Sequence, residues 1–279
     1  MRERREADHD QRASLERRAF LQVTGAACLA AWLGIDLAVE AKVPSPIKAP
    51  KATRRGILRL RLKATRLGEM GAFYGRTLGF PIEQKPRRLR VWAGGTELVF
   101  EPAAAGEEPI YHIAWAIPEN KLAQAKAWMK ARTPLLVHPD GRDEFQFRRV
   151  DRSAFYFADP AGNVLELIAR HSLGDAAGGP FTLSDILYVN HAGLVVDDLP
   201  AAIRELETGL GLELRSEPTE NFAQLGDEHR HVVLVTRKRL WLPELKVPAG
   251  IFDAEITLHG APPRRLDLEG YPYRVVIEA

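Results

Sequence analysis

The chain has 279 residues, 46% of them hydrophobic, with 39 Lys and Arg against 37 Asp and Glu and a formal net charge of +2. The length has room for two ordinary domains, and the apolar share is enough for folded cores. So even a balance, without a concentrated basic face, argues against a nucleic-acid protein; the runs Arg54 to Arg61 and Pro86-Arg87-Arg88-Leu89-Arg90 are expected at a solvated strand edge and turn.

Residues 1–41 read as an address. A polar, charged start leads to Glu16-Arg17-Arg18-Ala19-Phe20-Leu21-Gln22, a weakly apolar run follows from Val23 to Val39, and Val39-Glu40-Ala41 offers a small-residue cleavage site. That is the order of a signal peptide. The paired arginines followed by x-Phe-Leu resemble the twin-arginine export signal, which implies passage through the twin-arginine translocase and a periplasmic or extracellular destination. A buried amphipathic helix with a chance arginine pair is the competing reading. The run is short and carries Asp36, so no stable membrane insertion is expected. The single cysteine, Cys28, falls in the part expected to be removed, which leaves no thiol for a disulfide. Residues 42–55, with Pro44, Pro46 and Pro50, read as an extended linker.

Residues 56–173 form the first predicted module. Ile57 to Lys63 alternates apolar and charged residues, as a half-buried strand does. Gly68 to Thr77 predicts a helix with Met70, Phe73 and Tyr74 inward and Gly79 at its C-cap. Arg88 to Trp92 and Glu97 to Glu101 are two more strands, joined at Gly94-Gly95. This β-α-β-β-β order then recurs. Ile110 to Ile117 is a strand, Pro118 to Arg132 a helix, and Phe145 to Phe147, Ser153 to Phe157 and Val164 to Ala169 are strands. The last two are joined by a tight turn at Asp159-Pro160-Ala161-Gly162-Asn163, where Pro presets φ and Gly supplies positive φ.

After a Gly-rich hinge, residues 174–185, the pattern restarts over 186–279. Val189 to Val196 is a strand, Asp198 caps a helix over Ala201 to Leu210, and Gly211 ends it. Laying His191 onto Arg59 places Leu210-Gly211-Leu212 on Leu78-Gly79-Phe80 without a gap, which marks an internal repeat. Glu228 to Thr236, carrying His229 and His231, Phe252 to Leu258, and Tyr271 to Glu278 are the later strands.

Three words in this order, Phe73-Tyr74-Gly75-Arg76-Thr77-Leu78-Gly79-Phe80, Tyr111-His112-Ile113-Ala114 and Asp159-Pro160-Ala161-Gly162-Asn163-Val164-Leu165-Glu166, resemble the vicinal oxygen chelate superfamily of glyoxalases, bleomycin-resistance proteins and extradiol dioxygenases. The resemblance implies an α+β fold of tandem modules, each a half-open barrel of two βαβββ units packed side by side. It also implies metal ligands on the first and last strands of each unit. Matched residue by residue, these are Arg59, Glu97, His112 and Glu166 in the first module. Arg59 has no lone pair to offer, so either Glu97, His112 and Glu166 hold a metal or Arg59 takes its place among the acids. In the second module His191 stands at the first ligand position, with Glu255 and Glu278 nearest to the later ones.

Three readings follow from the resemblance. One is an enzyme that uses a divalent ion (Fe, Mn, Ni or Zn) on a small oxygen-chelating substrate, with Glu97 or Glu166 as base if not a ligand. Another is a protein that sequesters a small molecule without chemistry; a remnant in which Arg59 neutralises the old metal acids is a third. Neither module supplies two histidines and a glutamate within itself, so ring cleavage is not singled out. A homodimer, with the cleft built between chains, is left open.

Overall fold

A computed structural model describes residues 55–279 except Lys238. The export signal expected in residues 1–41 and the linker up to residue 54 lie outside the described residues.

The described chain is four successive units. The first holds β1 (Ile57–Ala64), α1 (Leu67–Gly71, continued as a π-helix over Ala72–Thr77), β2 (Ile82–Lys85), β3 (Arg88–Ala93) and β4 (Thr96–Pro102). The second holds β5 (His112–Ile117), α2 (Leu122–Lys130), β6 (Phe145–Phe147), β7 (Arg152–Ala158) and β8 (Val164–Arg170). The third holds β9 (Tyr188–Val196), α3 (Leu199–Leu210), β10 (Phe222–Gly226) and β11 (His231–Thr236), and the fourth β12 (Ala254–His259), β13 (Arg264–Asp267) and β14 (Tyr273–Glu278). In each of the first three, the first strand pairs in parallel with the last, β1 with β4, β5 with β8 and β9 with β11. Among the described residues no helix is long and apolar enough to cross a membrane.

The units do not combine in chain order. The expected module of units one and two, side by side, is replaced by a nested pairing. β5 runs antiparallel to β9, which joins units two and three, and β1 runs antiparallel to β12, which joins units one and four. The β-bridge Ile57 to Val189 joins the two pairs of units in one sheet, and Thr96 reinforces it by donating to the Ile57 carbonyl and accepting from the Val189 amide. The Gly94-Gly95 turn fits against the same place: Gly94 has φ +60°, and a Cβ there would lie 2.2 Å from the Leu187 carbonyl oxygen. One continuous apolar core runs through both halves.

Burial explains the sequence of the inner strands. All six residues of β5 and all nine of β9 are buried, so these strands read as unbroken apolar runs interrupted by His112, Asn190 and His191. The helix caps follow local chemistry. The Asp198 carboxylate accepts from the Ala201 amide at 2.9 Å, and Gly211 closes α3 at φ +69°. The predicted turn is built by Asp159, whose carboxylate accepts from the Ala161 and Asn163 amides, the Asn163 side chain and the Tyr74 hydroxyl. Asn163 then accepts from the Tyr111 amide at 2.8 Å. That bond pins the start of β5 against β8, one residue before His112.

Candidate metal centre

Strand register brings three side chains to one point. Ala114 on β5 lies opposite Glu166 on β8 on one side and His191 on β9 on the other, while His112 lies opposite Val164. Side chains two apart share a face, so His112, Glu166 and His191 all face the concave side, with the small Ala114 leaving room between them. The donor atoms converge. His112 Nε2 is 3.2 Å from Glu166 Oε2 and 3.2 Å from His191 Nε2, and His191 Nε2 is 3.5 Å from the same carboxylate oxygen. Donors about 2.1 Å from one ion lie about 3.0 Å apart at right angles and about 3.4 Å apart at tetrahedral angles. The observed triangle, 3.2, 3.2 and 3.5 Å on its sides, lies toward the tetrahedral end of that range.

The protons are placed to match. His112 Nδ1 lies 3.1 Å from the Val164 carbonyl, and His191 Nδ1 lies 3.1 Å from Asn190 Oδ1. Both partners can only accept, so each Nδ1 carries a proton, which leaves each Nε2 as the ligand atom that faces inward. The β9 register shift supplies Asn190. Between Ala114 and Trp115 the strand gains one residue, and such a bulge re-aims a side chain; here it sets Asn190 beside its own neighbour. Asn190 is held in turn by the buried Arg170, whose Nη2 donates to it at 3.0 Å, and by the Glu228 and His229 carbonyls.

The electrostatics favour a cation. Two nitrogen lone pairs and a carboxylate meet in a site where His112 is 8%, Glu166 3% and His191 3% exposed. Burial alone would raise the Glu166 carboxyl, and a proton or cation held between it and the two imidazoles of His112 and His191 outweighs that and lowers it well below the ordinary carboxylate range. Burial pushes His191 down to about 3, against the pull of Glu166. Three acceptors without a donor among them are what a divalent ion satisfies. Two imidazoles and a carboxylate on one face of an ion fit Fe, Mn, Ni or Zn alike by donor type.

The fourth position is apolar. On the pseudo-symmetric third unit, His191 pairs with His231 and Gly193 with Val233, so Val233 stands where Glu166 stands in the second unit. Val233 lines a cavity of about 250 Å³ that opens onto the triad, walled also by Phe147, Tyr156, Phe222 and Trp241. Trp241 packs 5.4 Å from the His112 ring, centroid to centroid. Gly193 makes this possible: a Cβ there would lie 2.7 Å from the Trp241 ring. Burial, and next the Glu166 charge, raise the Tyr156 hydroxyl well above its ordinary value, so it keeps its proton.

Of the residues singled out in the sequence, His112, Glu166 and His191 come together and Glu97 does not. Glu97 lies opposite Arg59, the register place of Val164, and the counterpart of Glu166 is Val99. Its carboxylate is taken by Arg59 at 2.8 Å and Arg90 at 2.5 Å. Glu255, at the counterpart of His191, pairs with Arg61 at 2.8 Å and Arg274 at 3.3 Å, and Glu278 is exposed at the strand end. Sequence reasoning gave His231 no settled place. It is fully buried, its ring lies 4.7 Å from that of His191, and neither ring nitrogen has a partner among the described residues. His229 precedes β11 and meets the Tyr188 hydroxyl instead.

No family model and no curated protein matches this chain. Solved structures do. A Bacillus subtilis protein described as a "putative dioxygenase" is 17% identical over 80% of this chain and 84% of its own, with a TM-score of 0.53. Glyoxalase I from Zea mays is 16% identical over 80% and 92%, with a TM-score of 0.46. A glyoxalase/bleomycin resistance protein/dioxygenase from Alicyclobacillus acidocaldarius is 19% identical over 43% of this chain and 94% of its own, with a TM-score of 0.35. The Bacillus subtilis protein thus shares this chain's fold, at an identity that speaks for the fold alone.

Proposed function

We propose that this protein is a divalent-metal-dependent enzyme acting on a small substrate that presents two adjacent oxygens, and that Fe(II)-dependent ring cleavage by O₂ is the reaction its site suits best. One observation carries the reading. The site offers two histidines and one carboxylate, and the place of a fourth ligand is filled by Val233. Three ligands on one face leave positions for a chelating substrate and for oxygen, which is the pattern of non-haem iron oxygenases, whereas a fourth protein ligand would close one of them.

When bound, the ion supplies a Lewis acid that holds the substrate oxygens and lowers their pKa. The chain's own residues do the rest. The Val164 carbonyl and Asn190 fix the imidazole tautomers. Glu166 stays ionised. Tyr156, protonated and next to Glu166, is the one phenol placed to give or share a proton with a substrate oxygen. Trp241, Phe222 and Phe147 exclude water and offer faces to a ring. Ring cleavage of a 1,2-dihydroxybenzene by O₂ leaves both oxygen atoms in the product, so no further reductant is needed.

The test is metal content and turnover together. The protein from residue 42 onward, loaded anaerobically with Fe²⁺, is expected to bind one equivalent and to consume one O₂ per catechol cleaved. His112→Ala and His191→Ala are each expected to lose the ion. Metal uptake without O₂ consumption, but with isomerisation or lyase activity, would move the reading to the glyoxalase side; no uptake of Fe²⁺, Mn²⁺, Ni²⁺ or Zn²⁺ would leave a binding protein. Export through the twin-arginine route belongs to the same proposal, supported by the order of residues 1–41, and is checked by fractionating cells that carry Arg17→Lys/Arg18→Lys.

A further inference from the structure

Arg152 and Arg239 line the same cavity as the triad, and the chemistry above gives neither a role. Arg152 lies on β7, four residues before Tyr156 and on the same face. Its guanidinium stacks 4.7 Å from the Phe147 ring centroid, and its Nε and Nη1 are buried without a hydrogen-bond partner among the described residues. Its cross-strand neighbour Arg170 is fully used by contrast, donating to Asn190 and pairing with Glu228 at 2.6 Å. Glu228 also takes Arg215 at 2.6 Å. One carboxylate therefore serves two arginines, and the third guanidinium is left over. Arg239 lies over Phe222 at 4.7 Å and gives one N–H to Asn221.

Glu166 is the only acid among the described residues that line the cavity, and its carboxylate faces the two histidines. Arg152 is half-buried, but its Nε and Nη1 are shut off from water, and buried donors without a partner are costly. Leaving them beside an open cavity makes sense if the partner arrives with the ligand. Aromatic stacking on one face holds each guanidinium plane still, which suits the planar, two-pronged grip of arginine on a carboxylate.

We infer that the cavity takes an anionic single-ring aromatic, with its carboxylate held by Arg152 and supported by Arg239 and its other end at His112, Glu166 and His191. The second half of that statement rests on the proposed function; the carboxylate grip does not. The size agrees, since a cavity of roughly 150 Å³ already holds benzene and this one measures about 250 Å³.

Titration calorimetry on the metal-loaded protein separates the two. The probes are 3,4-dihydroxybenzoate, which has both features, 4-methylcatechol, which lacks the carboxylate, and benzoate, which lacks the oxygen pair. The wild type is expected to bind 3,4-dihydroxybenzoate roughly ten- to a hundredfold more tightly than 4-methylcatechol, the range for a charge-assisted pair. Arg152→Met, which keeps the packing on Phe147, is expected to bring the two within about threefold while metal content stays unchanged. Equal affinity in the wild type, or a preference that survives in Arg152→Met and in Arg239→Gln alike, overturns the inference. Arg152-dependent binding of benzoate without any catechol preference supports the carboxylate grip and removes the chelation reading. Metal-dependent catechol binding without a carboxylate preference does the reverse. Failure of all three probes to bind sinks both.

Discussion

Replacing Glu166 with Gln separates a metal centre from a structural ion pair, because only the ion pair predicts a large loss of stability in the metal-free protein. If the triad were a salt bridge, one imidazole would carry a second proton and donate it to Glu166. Removing the charge would then leave a buried imidazolium unpaired, at a cost of about 3–5 kcal/mol. In a metal centre both Nε2 atoms are bare acceptors, with the Nδ1 protons on the Val164 carbonyl and Asn190. A glutamine amide can donate to one of them, so the metal-free variant should melt within about 2 °C of wild type. The metal-loaded comparison differs. An ion present at a hundred times its dissociation constant stabilises the wild type by about 2.7 kcal/mol, or roughly 5–11 °C for a domain of this size. If losing the charged ligand weakens affinity by about a hundredfold, the gain falls to roughly 0.4 kcal/mol. Differential scanning fluorimetry with chelator, and again with Mn²⁺ or Zn²⁺, reads both numbers. A metal-free variant that melts 8 °C or more below wild type, or an ion that stabilises both proteins equally, refutes the reasoning.

Asn190→Ala removes the acceptor of His191 Nδ1 and of the buried Arg170 together; metal affinity should fall roughly 10–100-fold in a competition titration, with a stability loss of about 1–3 kcal/mol in urea. Glu97→Gln should leave metal stoichiometry by atomic emission unchanged, because Glu97 belongs to the Arg59 and Arg90 pairs. His231→Phe should raise stability by about 1 kcal/mol or more, since it removes two unpartnered buried nitrogens and keeps a ring against His191. Burial lowers the His231 pKa well below its ordinary value, so below about pH 6.5 the unfolded chain binds the extra proton. Stability therefore falls as pH drops through that point, and denaturation curves from pH 7 to 5 should be flatter for His231→Phe.

Much of the fold was legible because its signals are local. The alternation in β1, the Asp198 cap, the Gly211 stop and the Asp159–Asn163 turn each follow from a few neighbouring residues. Strand β10 escaped because Phe222–Gly226 is short and ends on glycine, and α2 is shorter than its apolar pattern suggested. The nested pairing was not legible at all. Nothing in a strand's own residues says whether it joins the unit before it or the unit after, and both choices bury the same apolar face. That choice decided the site. Within one module the sequence offers Glu97, His112 and Glu166, whereas the structure draws His112 and Glu166 from the second unit and His191 from the third. Matching to the superfamily puts Glu97 at the last-strand ligand position of the first unit, and the register puts Val99 there, two residues on. Arg152 and Arg239 carried no sequence signal, since an unpaired guanidinium looks like any other until its neighbours are known.

The two pairs of units put one strand register to opposite uses. Arg59 and Glu255 hold in β1 and β12 the places that His112 and His191 hold in β5 and β9. Arg59 is paired with Glu97, Arg61 with Glu255, and Lys63 with Glu101 at 2.8 Å, so that concave face carries its own counterions. Several of these groups are partly exposed, where ion pairs contribute little to stability, and such a face has neither free lone pairs nor a charge deficit to offer a ligand. The other concave face has both: two bare imidazole nitrogens beside a carboxylate, and an arginine without an acid. Where one half completes its charges within the chain, the other leaves a cation's place and an anion's place open about one small cavity. A molecule that chelates at one end and is anionic at the other completes both.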